Sequence, residues 1–257
     1  MAEVSPTVAS LRDATVVVTG GASGIGLASA QAAAEVGAAV VLADRDRAAL
    51  EAAHVELKRF GTPVAVHQVD VADADAVRGL VEATLSVFGR VDGLVTSAGI
   101  ERPAPALELR EDDFDDVLRV NLKGSFLCAQ AFGRAMMDAG SGGSIVTVSS
   151  ALAFSGRVNA APYTASKGAV VSLTKSLAIE WGPSGIRVNS VAPGLIDTPI
   201  AAGLPAEHRQ AYASRTPLGR IGTPQDVAKV IRFLLSDEAA YVTGQTIVVN
   251  GGYLMPS

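Results

Sequence analysis

The stretch Thr15-Val16-Val17-Val18-Thr19-Gly20-Gly21-Ala22-Ser23-Gly24-Ile25-Gly26 reads as a short valine-rich strand that turns through glycines straight into a helix. A pyrophosphate group needs bare backbone N–H groups at a helix N-terminus, and side chains there would block its approach. In this reading Gly20 makes the tight turn, Gly24 lets the phosphates close in and Gly26 lets helix and strand pack, with Ser23 at the helix start and Ile25 as further expected cofactor-binding positions. The spacing is G-x-x-x-G-x-G rather than the common G-x-G-x-x-G. Such a turn after the first strand points to an open, doubly wound sheet. An eight-stranded α/β barrel carries its phosphate sites late in the chain.

Outward from that turn, apolar strands alternate with helical patterns. Strands are expected at Thr15–Thr19, Ala39–Ala43, Val64–Val69, Gly93–Thr96, Ser144–Ser149, Arg187–Val191 and Thr246–Asn250. Most are apolar on both sides of the alternation, as strands covered on both faces of a parallel sheet must be. The first helix is expected from about Ser23 to Val36, stopping at Gly37. Later stops are expected at Gly61, Gly89 and Gly182-Pro183. Thr223-Pro224-Gln225-Asp226 sets a capping hydroxyl before proline, with an acid near the helix's positive end. The predicted fold is α/β: a single doubly wound Rossmann-type domain over residues 1–257, with a seven-stranded parallel sheet and helices on both faces. Residues 1–12 read as an N-terminal extension and about 196–218 as a substrate-binding segment.

Composition narrows the function. The chain has 257 residues, 49% hydrophobic and 18% charged, which suits one large core. No run of 18 apolar residues occurs, so a membrane span is not expected. The opening Met1-Ala2-Glu3-Val4-Ser5-Pro6 has neither a basic nor an apolar leader region, and no signal peptide is read there. A single cysteine, Cys128, excludes an intrachain disulfide and suits a reducing compartment, so the cytoplasm is expected. The net charge of −5 comes without basic runs, which argues against nucleic acid as a partner. His54, His67 and His208 lie far apart without ligand patterns, and no metal site is expected.

Two further features carry chemistry. Asp44 closes the second strand, where an adenosine ribose would lie, and a carboxylate there can accept both ribose hydroxyls. It would also repel a 2′-phosphate: two charges ~4 Å apart interact by about 4 kcal/mol at an effective dielectric near 20. Arg45 follows and tempers that argument, but NAD is favoured over NADP. Tyr163-Thr164-Ala165-Ser166-Lys167 stands at the start of a helix, where positions i and i+4 share a face. A tyrosine titrates near 10, and a neighbouring cation favours its phenolate. Upstream, Ser149-Ser150 ends a strand at the carboxyl edge of the sheet, where a hydroxyl can hold a substrate oxygen.

With these residues in order, the chain resembles the short-chain dehydrogenases/reductases of roughly 250 residues. The likeness runs from about Thr15 to Tyr253. It takes in Thr19-Gly20 through Gly26, Asp70-Val71, Ala98-Gly99, Asn121, Ser150, Tyr163 with Lys167, Pro193-Gly194 and Asn250-Gly251-Gly252. The resemblance implies that Tyr163 is the acid/base and that Ser150, thirteen residues before it, polarises the substrate, with Ser149 as the adjacent alternative. It implies that Lys167 holds the nicotinamide ribose and lowers the tyrosine pKa, and that Asn121 anchors a proton-relay water. It further implies adenine contacts at Asp70 and Val71, cofactor contacts at Ser97, Ala98 and Gly99, and a brace for the carboxamide at Pro193, Gly194, Ile196 and Thr198. The family usually has Asn-Asn-Ala-Gly after the fourth strand, whereas this chain has Thr96-Ser97-Ala98-Gly99. A hydroxyl has a shorter reach than an amide, so the Ser97 contact is in question.

The expected activity is hydride transfer between NAD and a secondary alcohol or ketone. The alternatives are an NADP-dependent ketone or 3-oxoacyl reductase on the same site, an epimerase or dehydratase, and a non-catalytic NAD-binding regulator. The expected partner besides the small-molecule substrate is a second copy of the chain, as a homotetramer. A helix from about Asp112 to Ala139 and the helix after Tyr163 are both apolar around more than one stripe. The substrate pocket is expected to involve Leu152, Phe154, Val158, Leu195 and the segment from Ile196 to Leu218, with charge from Glu207, His208, Arg209 and Arg215.

Overall fold

A computed structural model describes residues 11–256. The opening Met1–Pro6 and most of the extension over 1–12 lie outside the described residues. Leu11 already packs in the core, and its N–H donates to the Val36 carbonyl.

The strands are β1 (Thr15–Thr19), β2 (Ala39–Asp44), β3 (Val64–Gln68), β4 (Gly93–Thr96), β5 (Gly143–Val148), β6 (Ile186–Pro193) and β7 (Thr246–Val249). They form one sheet in the order β3-β2-β1-β4-β5-β6-β7, with every pairing parallel. The expected seven strands are all present, most with ends shifted by a residue. β6 is longer than expected because its pairing with β7 continues to Pro193↔Val249.

The helices are α1 (Gly24–Ala34), α2 (Arg47–Leu57), α3 (Ala74–Phe88), α4 (Glu111–Leu118), α5 (Ser125–Ala139), α6 (Ala161–Trp181), α7 (Ala206–Arg215) and α8 (Pro224–Leu235). Strand alternation divides the interior into two cores. Val16, Val18, Val40, Leu42 and Val146 pack against Ala30 and Ala33 of α1, Leu50 of α2 and Ile231 of α8. Val17, Val41, Leu94, Ile145 and Val188 face the other way, onto Leu80 of α3, Phe132 and Met136 of α5 and Trp181 of α6. Each fully buried side chain of this kind contributes about 1.5–3 kcal/mol over its exposed state. The strand run Val16-Val17-Val18 thus feeds both cores, which is why its sequence does not alternate.

Local signals explain the helix ends, with one correction. Gly37, Gly61 and Gly89 take positive φ where stops were expected. Gly182 caps α6 after Trp181 as expected but keeps a right-handed φ of −52°; the chain makes one more 3₁₀ turn, and Gly185 (φ +74°) takes the left-handed conformation. The helix expected over Asp112–Ala139 is three segments, because a π turn at Arg119–Gly124 separates α4 from α5. At the start of α8, Thr223 accepts from the Asp226 N–H while the Asp226 carboxylate accepts from the Thr223 N–H, a reciprocal capping box.

Because β2 and β3 lie on one side of β1 and β4 to β7 on the other, the chain reverses direction between β1 and β4. At such a switch point the loops beyond the strand ends diverge and leave a crevice.

Candidate active site

That crevice is a cleft of about 1120 Å³ at the carboxyl ends of the strands. Gly20, Ser23, Gly24 and Ile25 line its floor. Gly20 (φ +65°) takes a left-handed turn, and a Cβ there would stand 2.6 Å from the Ala98 nitrogen. Gly26 does not reach the cleft: it is buried where a Cβ would run into the Gly20 carbonyl. The N–H of Leu27 donates to Ser23 O, so the N–H groups of Gly24, Ile25 and Gly26 precede the first intrahelical bond. Ser23 makes no side-chain cap. These donors are left for a ligand, and Gly24, whose positive φ (+54°) favours glycine, places no side chain in their approach. An anionic dinucleotide fits this floor.

At the β2 end of the cleft, Asp44 accepts from Ala22 N at 3.3 Å and Asp46 N at 3.2 Å, with Arg45 beside it on the surface. Asp70 accepts from Ala72 N (2.9 Å) and from Arg119 (3.2 Å). The backbone bond first and the guanidinium next hold its carboxyl below the usual range against the effect of partial burial. Val71 lines the same wall, and Ser97, Ala98 and Gly99 follow β4 along the floor. Ser97 contributes its N–H to Thr19 O at 3.1 Å. The neighbouring Thr96 hydroxyl, at the first position where the family usually has asparagine, is buried without a partner among the described residues. Pro193 ends β6, and Gly194, Ile196 and Thr198 continue along the cleft edge.

Tyr163, Ser150 and Lys167 meet in the middle. Tyr163 and Lys167 lie one turn apart on α6, with Nζ 5.7 Å from the phenol ring centroid. Nζ donates to the Val148 carbonyl at 2.7 Å, at the end of β5. The two serines divide. Ser149 Oγ is buried and donates to the Lys167 backbone carbonyl at 2.8 Å, a tie between β5 and α6. Ser150 faces the cleft and hydrogen-bonds the Tyr163 phenol, while its Oγ also accepts from Leu152 N.

Electrostatics here differ from the sequence expectation that Lys167 lowers the phenol's pKa. Burial is the dominant influence and pushes the Tyr163 pKa up. The Ser150 hydrogen bond opposes it, the Glu101 carboxylate adds to it, and the Arg157 guanidinium again opposes it. Burial also pushes the Lys167 ammonium down to about 8. Burial thus disfavours the charged form of each group; a positive charge brought beside them would favour the phenolate and disfavour the ammonium.

Asn121 is fully buried in the π turn and does not line the cleft. Its Oδ1 accepts from Ile100 N at 2.8 Å, and its amide donates to Ile100 O (3.0 Å) and Ser166 Oγ (3.1 Å). Both amide hydrogens are therefore engaged within the protein. A Cβ on Gly99 would stand 3.3 Å from Asn121 Oδ1 and 3.5 Å from Lys167 Nζ, so this glycine leaves the space between them open.

The substrate end also departs from expectation in detail. Leu152, Val158 and Leu195 line the cleft, as do Ile200, Leu204 and His208 of the segment 196–218, but Phe154 points elsewhere and is half exposed. Arg209 pairs with Asp197, and Arg215 lies over the Tyr253 ring. Tyr212 lines it from within the expected segment 196–218, and Glu101, Arg157, Tyr253 and Leu254 also line it, none of them singled out for the pocket from the sequence. Tyr212 and Tyr253 stack with centroids 4.0 Å apart, and Tyr212 Oη accepts from Leu195 N, which joins α7 to the C-terminal tail. Only the position of Glu101, two residues after Gly99, offered a signal. Among the described residues no group of three His, Cys, Asp or Glu side chains is arranged to hold a metal ion.

Comparison with known proteins places this arrangement. A family model described as enoyl-(acyl carrier protein) reductase matches residues 20–254. The cis-4-hydroxycyclohexanecarboxylate dehydrogenase of Sinomonas cyclohexanicum is 45% identical over 238 residues, covering 92% of this chain and 95% of that one. The human (3R)-3-hydroxyacyl-CoA dehydrogenase is 41% identical over 253 residues, covering 95% and 97%. The crystal structure of a short-chain type dehydrogenase/reductase from Mycobacterium marinum superposes with a TM-score of 0.92 at 36% identity, covering 96% of this chain and 98% of that one.

Proposed function

We propose, from the premise that this chain belongs to the short-chain dehydrogenase/reductase family and is an oxidoreductase of CH–OH groups, that it oxidises a secondary alcohol with NAD. The family binds a nicotinamide nucleotide, which when bound takes the hydride from the alcohol carbon. The single observation that carries the reading is the convergence of the Tyr163 phenol, the Ser150 hydroxyl and the Lys167 ammonium at the centre of a cleft with an open helix N-terminus.

In this reading Ser150 orients the substrate oxygen and Tyr163, as phenolate, removes its proton. The positive charge of Lys167, and that of the bound nicotinamide, favour the phenolate that burial alone disfavours. Lys167, held by Val148, also meets the nicotinamide ribose. Asn121 braces Ile100 and Ser166; with both amide hydrogens taken and its backbone carbonyl already accepting from Ser125 Oγ (2.7 Å), a relay water would use a remaining lone pair of Oδ1 or of that carbonyl, or Lys167. Asp44 accepts the adenosine ribose hydroxyls, Asp70 and Val71 border the adenine, Ser97, Ala98 and Gly99 border the ribose side, and Pro193, Gly194, Ile196 and Thr198 brace the carboxamide. The ketone reduction uses the same groups in reverse. Formation of NADH with a panel of alicyclic and acyclic secondary alcohols, compared with NADP, is the test; turnover with NADP at least equal to that with NAD would overturn the cofactor assignment.

We further propose a cytoplasmic homotetramer. Among the described residues no helix is long and apolar enough to cross a membrane. α4 packs on α6 and covers part of the second apolar stripe, but Phe114, Leu118, Leu122, Phe126 and Leu127 stay half-buried and Ile179 of α6 is 80% exposed. Closed two-fold assemblies are the usual way to cover such faces. Light scattering coupled to size exclusion is expected to give four times the 26.2 kDa chain mass, and a stable, active monomer would overturn the assembly.

A further inference from the structure

Within the substrate half of the cleft, one ion pair stands among apolar side chains. Glu101 follows β4 and Arg157 follows β5, and the two side chains bond to each other through Arg157 Nη2 and Glu101 Oε1. A backbone bond from Ala104 N to Asn159 O (3.2 Å) runs beside them, so the two loops form one wall. Ile100, Pro103, Leu152 and Val158 surround the pair in the cleft. Among the described residues nothing else bonds either charged head. Glu101 Oε2 keeps acceptor capacity, and Arg157 Nε and Nη1 keep donor capacity.

From this geometry we infer that Glu101 and Arg157 form a recognition site for a second hydroxyl group on the substrate, so that diols and polyols are preferred to simple secondary alcohols. The inference rests on the dehydrogenase reading above. A hydroxyl both donates and accepts without carrying a charge, so a single oxygen can bond the carboxylate and the guanidinium at once and is repelled by neither. A substrate carboxylate would gain Arg157 but meet the like charge of Glu101, and an ammonium would suffer the reverse. Both side chains line the cleft, the carboxylate more enclosed (16% exposed) than the guanidinium (40%), so a ligand in the cleft reaches both heads. Glu101 has a larger influence than Arg157 on the Tyr163 phenol, which sets the pair within electrostatic range of the reacting oxygen. Among apolar side chains such bonds are stronger than they would be in water.

The test compares cyclohexanol, cyclohexane-1,4-diol and 4-hydroxycyclohexanecarboxylate as probes. Their binding to the full chain loaded with NADH, which cannot oxidise them, is followed by saturation-transfer NMR, and kcat/KM is measured separately with NAD. The diol is expected to bind roughly tenfold or more tightly than cyclohexanol, as befits a hydrogen bond to a charged group. Glu101→Gln, which keeps a hydrogen bond to Arg157 and so the loop contact, is expected to remove most of that preference, and Arg157→Met likewise. Thermal melts of both variants report whether the wall stays folded. Equal binding of diol and cyclohexanol to the wild type would overturn the inference. So would tightest binding of the hydroxy acid, lost in Arg157→Met but not in Glu101→Gln, which would mark an anion site. Absence of NADH formation with every probe would instead count against the dehydrogenase reading, while the NMR comparison still decides the role of the pair.

Discussion

The Lys167 ammonium donates to the Val148 carbonyl at 2.7 Å, so the cation beside the phenol of Tyr163 is anchored to the end of β5. That bond holds a charge in a place that burial makes hostile to it, with its pKa pushed down to about 8 from an ordinary 10.5. The unfolded chain therefore binds the proton more tightly than the folded one.

The consequence for stability has a definite sign. Below pH 8 both states carry the proton and the cost of burying the charge is fully present. Between pH 8 and 10.5 the folded state releases it first, so stability rises with pH in that window by about 3 kcal/mol for this group. Lys167→Met removes the titration. Denaturant melts are expected to show wild type gaining on Lys167→Met between pH 8 and 10.5, while the variant loses most turnover. A stability difference that stays flat across the window would contradict the assigned shift.

Tyr163→Phe removes only the phenol hydroxyl, and with it the exchangeable proton and the bond to Ser150. The fold and NAD affinity are expected to persist, and kcat is expected to fall by about 10²–10⁴. A variant keeping more than about a tenth of wild-type kcat would mean that another group moves the proton.

Asp44 accepts from two backbone N–H groups as well as facing the cleft. Asp44→Ala is therefore expected to weaken NAD binding and to raise relative kcat/KM for NADP, since Arg45 is then free to meet a 2′-phosphate. The ratio of kcat/KM for the two cofactors is the measurement. If it does not change, Asp44 does not contact the ribose.

Glu101 raises the phenol's pKa and Arg157 lowers it. Alcohol oxidation needs the phenolate, so its rate climbs as pH rises through that pKa. Glu101→Gln should move the climb to lower pH and Arg157→Met should move it to higher pH. Coincident kcat/KM profiles for the three proteins would show that the pair does not act on Tyr163.

The seven strands and their parallel arrangement were legible in the sequence because each strand is a short apolar run bounded by glycine or by a capping residue. The period and the stops are local properties. The glycine floor was legible for the same reason: a turn that leaves helix N–H groups bare has few sequence solutions. α6 ends where Gly182-Pro183 predicts, but the left-handed turn falls three residues later at Gly185, because Pro183 is compatible with a further 3₁₀ turn. The π turn at Arg119–Gly124 was hidden because it keeps the chain helical, and a single glycine inside a helical pattern does not mark where the hydrogen-bond register widens.

Chain order by itself determined which residue types stand at strand ends, and so the fold, the glycine floor and the Tyr163–Lys167 spacing on one helix face. Only the tertiary structure decided which of the two serines turns into the cleft, since Ser149 is drawn back to α6 by the Lys167 carbonyl. It alone brought Glu101 to Arg157, 56 residues away, and joined Tyr212 to Tyr253 across the C-terminal tail. Burial also set the electrostatics: the dielectric around a side chain depends on everything packed against it. An i,i+4 spacing therefore names the neighbour of a phenol but not the direction in which its pKa moves.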